Sequence, residues 1–402
     1  MKILHVNTYD VGGAANACLR IHKSLLKKGI DSKVLFYQKG SSFAESETYK
    51  FNYWDGTFNQ FHTIKKAIEY FLFDRKQRRR QLPYSIMEKF SFPTTIFDIT
   101  QNPFYQKADI VQLNWVADFL DEKSFFEKNK KPVLWRMADL YTCGGGNHYE
   151  KGFDPKVYET LINENLRIRK EALEKAKDNL HFVPISHWVK QKADESSLIK
   201  SFPKTLIHCG VNVNIFKPVS QDVARRALGL PLNKKIIGFG AQSLTNPRKG
   251  MNYLKEFVDK AKNQKLFFAS FGANELHTEN NNVYNLGAIN DELLLSLYYS
   301  AIDVFVMPAI EEAFGQVIIE SLACGTPVVS FRTGGGMDTI QTDKNGVLAS
   351  EISGESLSES IMKAVDTDYD KDWIVQDAVT RFDIDKKAEE YIRLYEKILK
   401  NK

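Results

Sequence analysis

Short apolar runs alternate along the chain with longer stretches whose apolar positions recur at helical spacing. Ile3-Leu4-His5-Val6 predicts a buried strand, closed by the glycine pair Gly12-Gly13. From Ala14 to Lys28, Ala17, Cys18, Ile21, Leu25 and Leu26 keep a helical period, and Gly29 stands where a C-cap belongs. Further strands are predicted at Ser32–Tyr37, Ile110–Leu113, Pro132–Met137 and Phe182–Ile185. The second half repeats this grammar, with strands at Lys235–Phe239, Leu266–Ser270, Val283–Leu286, Val304–Met307 and Pro327–Ser330. Helical patterns lie between them at Met251–Lys262, Asp291–Ser300 and Gln316–Ala323. Ile207–Val213, followed by Ile215–Pro218, reads as a connection between two domains. A last amphipathic helix, about Asp385–Lys400, places Ala388, Tyr391, Ile392 and Tyr395 on one side. Strand, helix, strand in this order implies parallel crossovers and doubly wound sheets. The expected architecture is therefore α/β, with two Rossmann-like domains facing across a cleft and ligands at the carboxyl ends of the strands.

Composition narrows this picture without redirecting it. A chain of 402 residues is long enough for two such domains. Its four cysteines lie far apart with no C-x-x-C pair, which fits a reduced cytosolic compartment. The apolar start Met1–Tyr9 is too short for a signal peptide, and no run of about 18 apolar residues suggests a spanning helix. A net charge of +5 is too weak to argue for nucleic acid. That charge is also local. Residues 61–90 hold eight basic side chains against three acidic ones, interleaved with Phe61, Ile64, Ile68, Tyr70, Phe71, Leu72 and Phe73. Such a basic, aromatic helix suits an anionic membrane surface, and equally a solvated face over a buried stripe.

The densest chemistry lies in Val304–Ser330, VFVMPAIEEAFGQVIIESLACGTPVVS. A strand, a loop with Glu312, Ala313, Phe314 and Gly315, and a helix beginning near Gln316 present free N–H groups and a positive dipole end to an anion. Glu312 is placed to accept hydrogen bonds from ligand hydroxyls, and Glu320 from a second diol. Taken alone, each glutamate reads more readily as a solvated surface residue. In Gly238–Gly250, GFGAQSLTNPRKG, the cations Arg248 and Lys249 precede a glycine at a helix start, which suits a diphosphate. Asn7–Ala15 offers a close backbone approach through Gly12 and Gly13. Asp366-Thr367-Asp368-Tyr369-Asp370 contains the D-x-D arrangement that can hold a divalent ion, but it follows a helix rather than a strand and reads as a solvated acidic loop.

Glu312-x7-Glu320, within E-A-F-G-x4-E-S-L-A-C-G-T-P-V-V, resembles the signature of retaining family-4 glycosyltransferases of the GT-B fold. The resemblance implies that Glu312 contacts the donor sugar and Glu320 the nucleotide ribose. Ala313, Phe314 and Gly315 would form the turn between them. It further implies a diphosphate ligand at Lys249; the arginine the family carries just after the strand is either missing here or replaced by Arg248. Gly12 and Gly13 would close over the donor. Trp135–Tyr149, WRMADLYTCGGGNHY, is similar to a segment of family members that build surface polysaccharides. Asp139, Gly145, Gly146, His148 and Tyr149 match by position, while Ala138 and Asn114 stand where the family has histidines. Positioning of the sugar or acceptor then falls to Asp139, Asn114 or His148, or the enzyme is slow or inactive.

The expectation is a GT-B glycosyltransferase that retains anomeric configuration, with Glu312, Asp139 and Lys249 at the reacting centre. Residues 1–206 would bind a glycan or lipid-linked acceptor, residues 207–382 the nucleotide-sugar, and residues 383–402 a helix packing back on the first domain. No metal or other cofactor is expected beyond the nucleotide-sugar co-substrate, and no nucleic acid. The location implied is cytoplasmic, peripheral at the inner face of a membrane through residues 61–90. A non-catalytic partner that keeps the fold, or another nucleotide-sugar enzyme such as an epimerase or phosphorylase, are the competing readings.

Overall fold

Six strands form the first sheet: β1 (Lys2–Tyr9), β2 (Asp31–Gln38), β3 (Thr48–Lys50), β4 (Ile110–Leu113), β5 (Val133–Met137) and β6 (Leu180–Pro184). They pair in the order β3-β2-β1-β4-β5-β6, and every pairing is parallel. A second sheet contains β7 (Lys235–Gly240), β8 (Leu266–Phe271), β9 (Val283–Asn285), β10 (Val304–Met307), β11 (Val328–Phe331) and β12 (Gly346–Ala349). Its order is β12-β11-β10-β7-β8-β9, again all parallel. Each sheet thus begins at its middle and winds outward both ways. The order in which strands are added reverses between β1 and β4 in one sheet and between β7 and β10 in the other.

This computed structural model describes residues 1–40, 46–53, 60–81, 89–261, 265–279 and 283–400. The chain separates into one unit of residues 1–185, 189–207 and 390–402, and another of residues 186–188 and 208–389. The helix Ile384–Lys400 contributes to both units. Within the first, its Tyr395 hydroxyl donates to the Gln112 side chain in β4.

Both sheets follow from their sequences. Every residue of β4, β5, β10 and β11 is buried, as expected of parallel strands covered on both faces. Helix Gly13–Lys27 turns Ala17, Cys18, Ile21 and Leu25 inward, the positions that set its sequence period. In the second unit Phe239, Leu254, Val304, Val306, Val329 and Leu357 belong to one fully enclosed core. Asp291 and Asp370 cap their helices by accepting the N–H groups of Leu294 and Trp373. Asp370, read from sequence as part of a solvated acidic loop, therefore has a defined local partner. The edge strands β3 and β12 were not anticipated. Each becomes a strand by pairing at a sheet edge, with β2 or β11, and carries too little pattern of its own to mark it.

Helix Gln60–Gln81 covers part of the basic segment. Ile64, Ile68, Tyr70, Phe71 and Leu72 are exposed, whereas Phe73 stands edge-on to Phe97, with ring centroids 6.3 Å apart. Residues 82–88 and the side chains of Phe61, Arg78, Arg79 and Arg80 lie outside the described residues. No helix among the described residues is long and apolar enough to cross a membrane.

Candidate functional site

In the second unit the parallel register sets Phe239 of β7 beside Val306 of β10, so the loops leaving both strands start side by side. Asn246 accepts the Arg248 N–H and opens a short 3-10 turn, Pro247–Lys249, that ends at Gly250. Gly250 has φ +66°, and a Cβ there would lie 1.9 Å from the Pro308 carbonyl oxygen. Only glycine permits this approach. The Ile310 N–H then donates to the Arg248 carbonyl at 2.9 Å, tying the two loops together.

That approach brings Lys249 Nζ to 2.6 Å from Glu312 Oε2. Arg248 Nη1 is 3.7 Å from the same oxygen and donates to the Glu311 carbonyl at 2.8 Å. Arg248 is buried, whereas the Lys249 side chain keeps 24% exposure. Burial by itself would raise the Glu312 pKa. The charges of Lys249 and Arg248, the Lys249 hydrogen bond and the Phe314 N–H outweigh it and hold the carboxyl below its ordinary value. Here is a carboxylate kept ionised, beside an ammonium group that retains a route to solvent.

A third loop, after β11, supports this turn. Thr333 Oγ1 donates to the Ala309 carbonyl at 2.8 Å, and the Gly335 N–H to the Glu312 carbonyl at 3.2 Å. A Cβ on Gly334 would lie 1.5 Å from the Glu312 carbonyl oxygen, and one on Gly335 would lie 2.3 Å from Phe314 Cα. The sequence reading missed these glycines; the run Gly334-Gly335-Gly336 was the available signal. Gly315, at φ +81°, leads into helix Gln316–Ala323, with Ala313 and Phe314 buried before it. Glu320 lies in that helix, also buried, and accepts the Tyr299 hydroxyl at 3.1 Å. The His208 ring stands 5.7 Å from that of Phe314.

The first unit assembles a different cluster. Gly12, with φ +90°, precedes helix Gly13–Lys27 at the end of β1. Beside it the Trp115 N–H donates to Asn7 Oδ1 at 2.8 Å, and the Thr8 N–H to the Trp115 carbonyl at 2.8 Å. Asp139 Oδ2 accepts Trp115 Nε1 and His148 Nδ1, each at 2.7 Å, while Oδ1 accepts the Tyr141 N–H at 2.9 Å. Burial opposes the charge on Asp139, but His148 and these donors prevail and hold its pKa below the ordinary value. His148 lies between the rings of Trp115 and Tyr141, at centroid distances of 5.2 and 5.1 Å. Its Nε2 is 3.0 Å from Ser91 Oγ. Because a carboxylate only accepts, Nδ1 carries the proton toward Asp139.

Serine, histidine and aspartate are in line here, yet Ser91 is fully buried and offers a substrate no face. The bonds position a loop. Asp139, expected at the reacting centre, has both oxygens engaged within this network. Asn114 is buried at the end of β4, where its Oδ1 accepts Gln112 Nε2 at 3.1 Å. Behind the loop, Glu122 accepts Arg169 Nη2 at 2.6 Å and the Tyr141 hydroxyl at 3.0 Å. Lys89 Nζ lies 4.5 Å from the Trp115 ring centroid and 2.7 Å from Asp118. Ser91, Glu122 and Arg169 carried no motif that would have marked them; Tyr141 lies within the Trp135–Tyr149 segment, whose match picks out other positions, and Trp115 directly follows Asn114.

Residues 220–378 match the family model described as glycosyl transferases group 1, which spans less than half of the chain. A D-inositol 3-phosphate glycosyltransferase of Corynebacterium jeikeium is 30% identical over 176 residues, covering 39% of this chain and 42% of that relative. The matched part is thus less than half the length of that curated relative. Among solved structures, sucrose-phosphate synthase from Thermosynechococcus elongatus has a TM-score of 0.70 at 17% identity, covering 100% of both chains. Anabaena HepE in complex with UDP and glucose also has a TM-score of 0.70 at 17% identity, covering 99% of this chain and 100% of that one. At this identity the likeness is one of fold, and the fold is the two-domain, Rossmann-like GT-B arrangement.

Proposed function

We propose that this chain is a glycosyltransferase that moves a sugar from a nucleotide-sugar to a glycan or lipid-linked acceptor, with retention of anomeric configuration. The observation that carries this reading is the Lys249–Glu312 pair, 2.6 Å apart where the sheet of the second unit changes direction. Open α/β sheets bind their ligands at such switch points. The group 1 match over residues 220–378 encloses both residues.

In this reading the second unit binds the donor. Lys249 meets the diphosphate and Glu312 orients the sugar hydroxyls, with the turn through Phe314 and Gly315 offering its N–H groups. Arg248, held on the Glu311 carbonyl, keeps the loop in place and adds positive charge. Glu320 is the residue for the ribose, exchanging its Tyr299 partner or sharing it. As the bond to the leaving oxygen breaks, negative charge grows on the diphosphate, and preorganised donors lower the barrier. The acceptor hydroxyl attacks from the same face. Asp139, His148 and Asn114 position the acceptor side, and Gly12 and Gly13 let the backbone approach the donor. No metal enters the transfer step. The setting is the cytoplasmic face of a membrane in surface polysaccharide synthesis. Exposed Ile64, Ile68, Phe71 and Leu72, with Lys65, Arg75 and Lys76, would dock there on anionic lipid.

Thermal shift and diphosphate release should be measured with UDP-, GDP- and ADP-sugars. One donor is expected to raise the melting temperature and to be turned over without added divalent ion. No shift with any donor would remove the reading. Ala138 and Asn114, standing where the family resemblance has histidines, favour one second reading, a non-catalytic GT-B partner. Binding without turnover, in the presence of acceptor extracts, would support it.

A further inference from the structure

His187, His208 and Asp338 come from three separate stretches of sequence, and their ligating atoms lie within 4.8 Å of one another in the second unit. They converge on a single oxygen. Asp338 Oδ2 is 3.2 Å from His187 Nδ1 and 3.1 Å from His208 Nε2, and it also accepts the His187 backbone N–H at 2.7 Å. The aspartate side chain is nearly buried, at 6% exposure, whereas the His187 side chain is 69% exposed. A route from solvent to the cluster therefore exists on the His187 side.

We infer that these three side chains form a site for a divalent transition-metal ion, Zn2+ being the best match. Zinc binds imidazole nitrogen and carboxylate oxygen at about 2.0–2.2 Å, so neighbouring ligand atoms of a tetrahedral site lie about 3.4 Å apart. Both nitrogen-to-oxygen separations here are within a few tenths of an ångström of that edge. Two imidazoles and one carboxylate select a borderline cation over Mg2+ or Ca2+, which take oxygen ligands. Three protein ligands leave a fourth tetrahedral position for water. His208 packs its ring 5.7 Å from Phe314 and 6.2 Å from Phe382, which fixes its orientation. Asp338 lies in the short helix Gly336–Thr339, directly after the glycines that support Glu312. A bound ion would pin this helix to the His208 segment and stiffen the support under the Glu312 turn. It would act on stability, apart from sugar transfer.

The test uses the untagged full chain, freed of metal by chelation and dialysis. Zn2+ titration calorimetry and the visible absorption of the Co2+ form should both report one site per chain. Zn2+ should also raise the melting temperature. His187→Ala changes an exposed side chain, and His208→Ala removes the second imidazole; both should abolish the Co2+ spectrum and the thermal shift. Asp338→Asn should do the same, with circular dichroism as the check on folding. No stoichiometric Zn2+ binding, or equal binding by wild type and His187→Ala, would overturn the site. The readouts do not involve donor turnover, so the result stands whether or not the chain transfers sugar.

Discussion

Lys249 and Glu312 are 63 positions apart in sequence, yet Nζ of one lies 2.6 Å from Oε2 of the other. The pair depends on Gly250, whose missing Cβ lets the β7 loop meet the Pro308 carbonyl after β10. Neither loop alone would set this distance.

If Lys249 meets the leaving diphosphate as proposed, Lys249→Ala should lower donor turnover by roughly 10²- to 10³-fold, the usual effect of losing one preorganised charge donor at a reacting centre. Glu312→Gln should reduce turnover as well, but should leave nucleoside diphosphate binding nearer to wild type, since in the proposed reading only the sugar hydroxyls lose a partner. Steady-state kinetics combined with titration of the nucleoside diphosphate of the accepted donor separate the two effects. If both variants turn over donor at the wild-type rate, the pair has no part in transfer.

Arg169 and Glu122 form an ion pair of a different kind, with both side chains only 1% exposed. The guanidinium also lies 3.9 Å from the Tyr141 ring centroid and donates to the Gly144 carbonyl at 2.7 Å, so it organises the loop that holds Asp139 and His148. Arg169→Ala strands a buried carboxylate and should destabilise the chain by about 3–5 kcal/mol in urea unfolding. Burial already pushes the Glu122 carboxyl above its ordinary value, against the pull of Arg169. A carboxyl raised in the folded state favours folding when protonated and loses that advantage as pH rises through its folded pKa. The Arg169→Ala deficit should therefore be largest near neutral pH and shrink on acidification.

What the sequence disclosed was what lies close together along it. Glu312, Phe314, Gly315 and Glu320 belong to one strand-loop-helix, so their spacing alone brings the candidate site residues together. Strands β1, β4, β7 and β10 were legible because buried parallel strands are continuous apolar runs. The edge strands β3 and β12 were not, although the edge strands β6 and β9 were. Residues Thr48–Lys50 and Gly346–Ala349 become strands by pairing with β2 and β11, a demand that tertiary structure imposes. Arg169 was hidden for the same reason: it reads as one more cation on helix Glu159–Ala176 until Glu122, 47 positions earlier, is seen beneath it. Asp139 was found by motif, but its engagement with Trp115, Tyr141 and His148 appears only in space.

His5 gives a pH dependence with a definite sign. It is fully buried in β1, and neither ring nitrogen has a hydrogen-bond partner among the described residues. Burial first, then the charges of His22 and Arg136, push its pKa well below the ordinary value. The unfolded chain protonates this histidine near pH ~6.5, and the folded chain does so only at lower pH. Stability is thus unaffected above that range. Below it stability falls, by at most about 1.4 kcal/mol per pH unit from this group, because the unfolded state binds more protons. Urea unfolding of wild type and His5→Leu at about pH 7.5 and about pH 5.5 should show a smaller acid loss in the variant. Equal losses would mean that His5 is not the group responsible.

Gly334 tests whether the third loop matters to the Glu312 turn. Its φ is +48°, and a Cβ there would stand 1.5 Å from the Glu312 carbonyl oxygen, a contact no side-chain rotation can relieve. Gly334→Ala must move either its own turn or the backbone of Glu312. The Gly335 N–H bond to that carbonyl, at 3.2 Å, would be lost in either case. Strain at a left-handed position together with a lost hydrogen bond should destabilise the second unit by roughly 2–4 kcal/mol. Binding should suffer too, because Lys249 and Glu312 would no longer meet at their present separation. The melting-temperature rise given by the bound donor should shrink in Gly334→Ala while circular dichroism retains the α/β spectrum. Gly287→Ala is the control: its φ is also positive, at +74°, but a Cβ there meets nothing within 4 Å. It should lose about 1 kcal/mol from backbone strain and keep the donor response. Equal donor responses in the two variants would show that the Glu312 turn stands without the glycines beneath it.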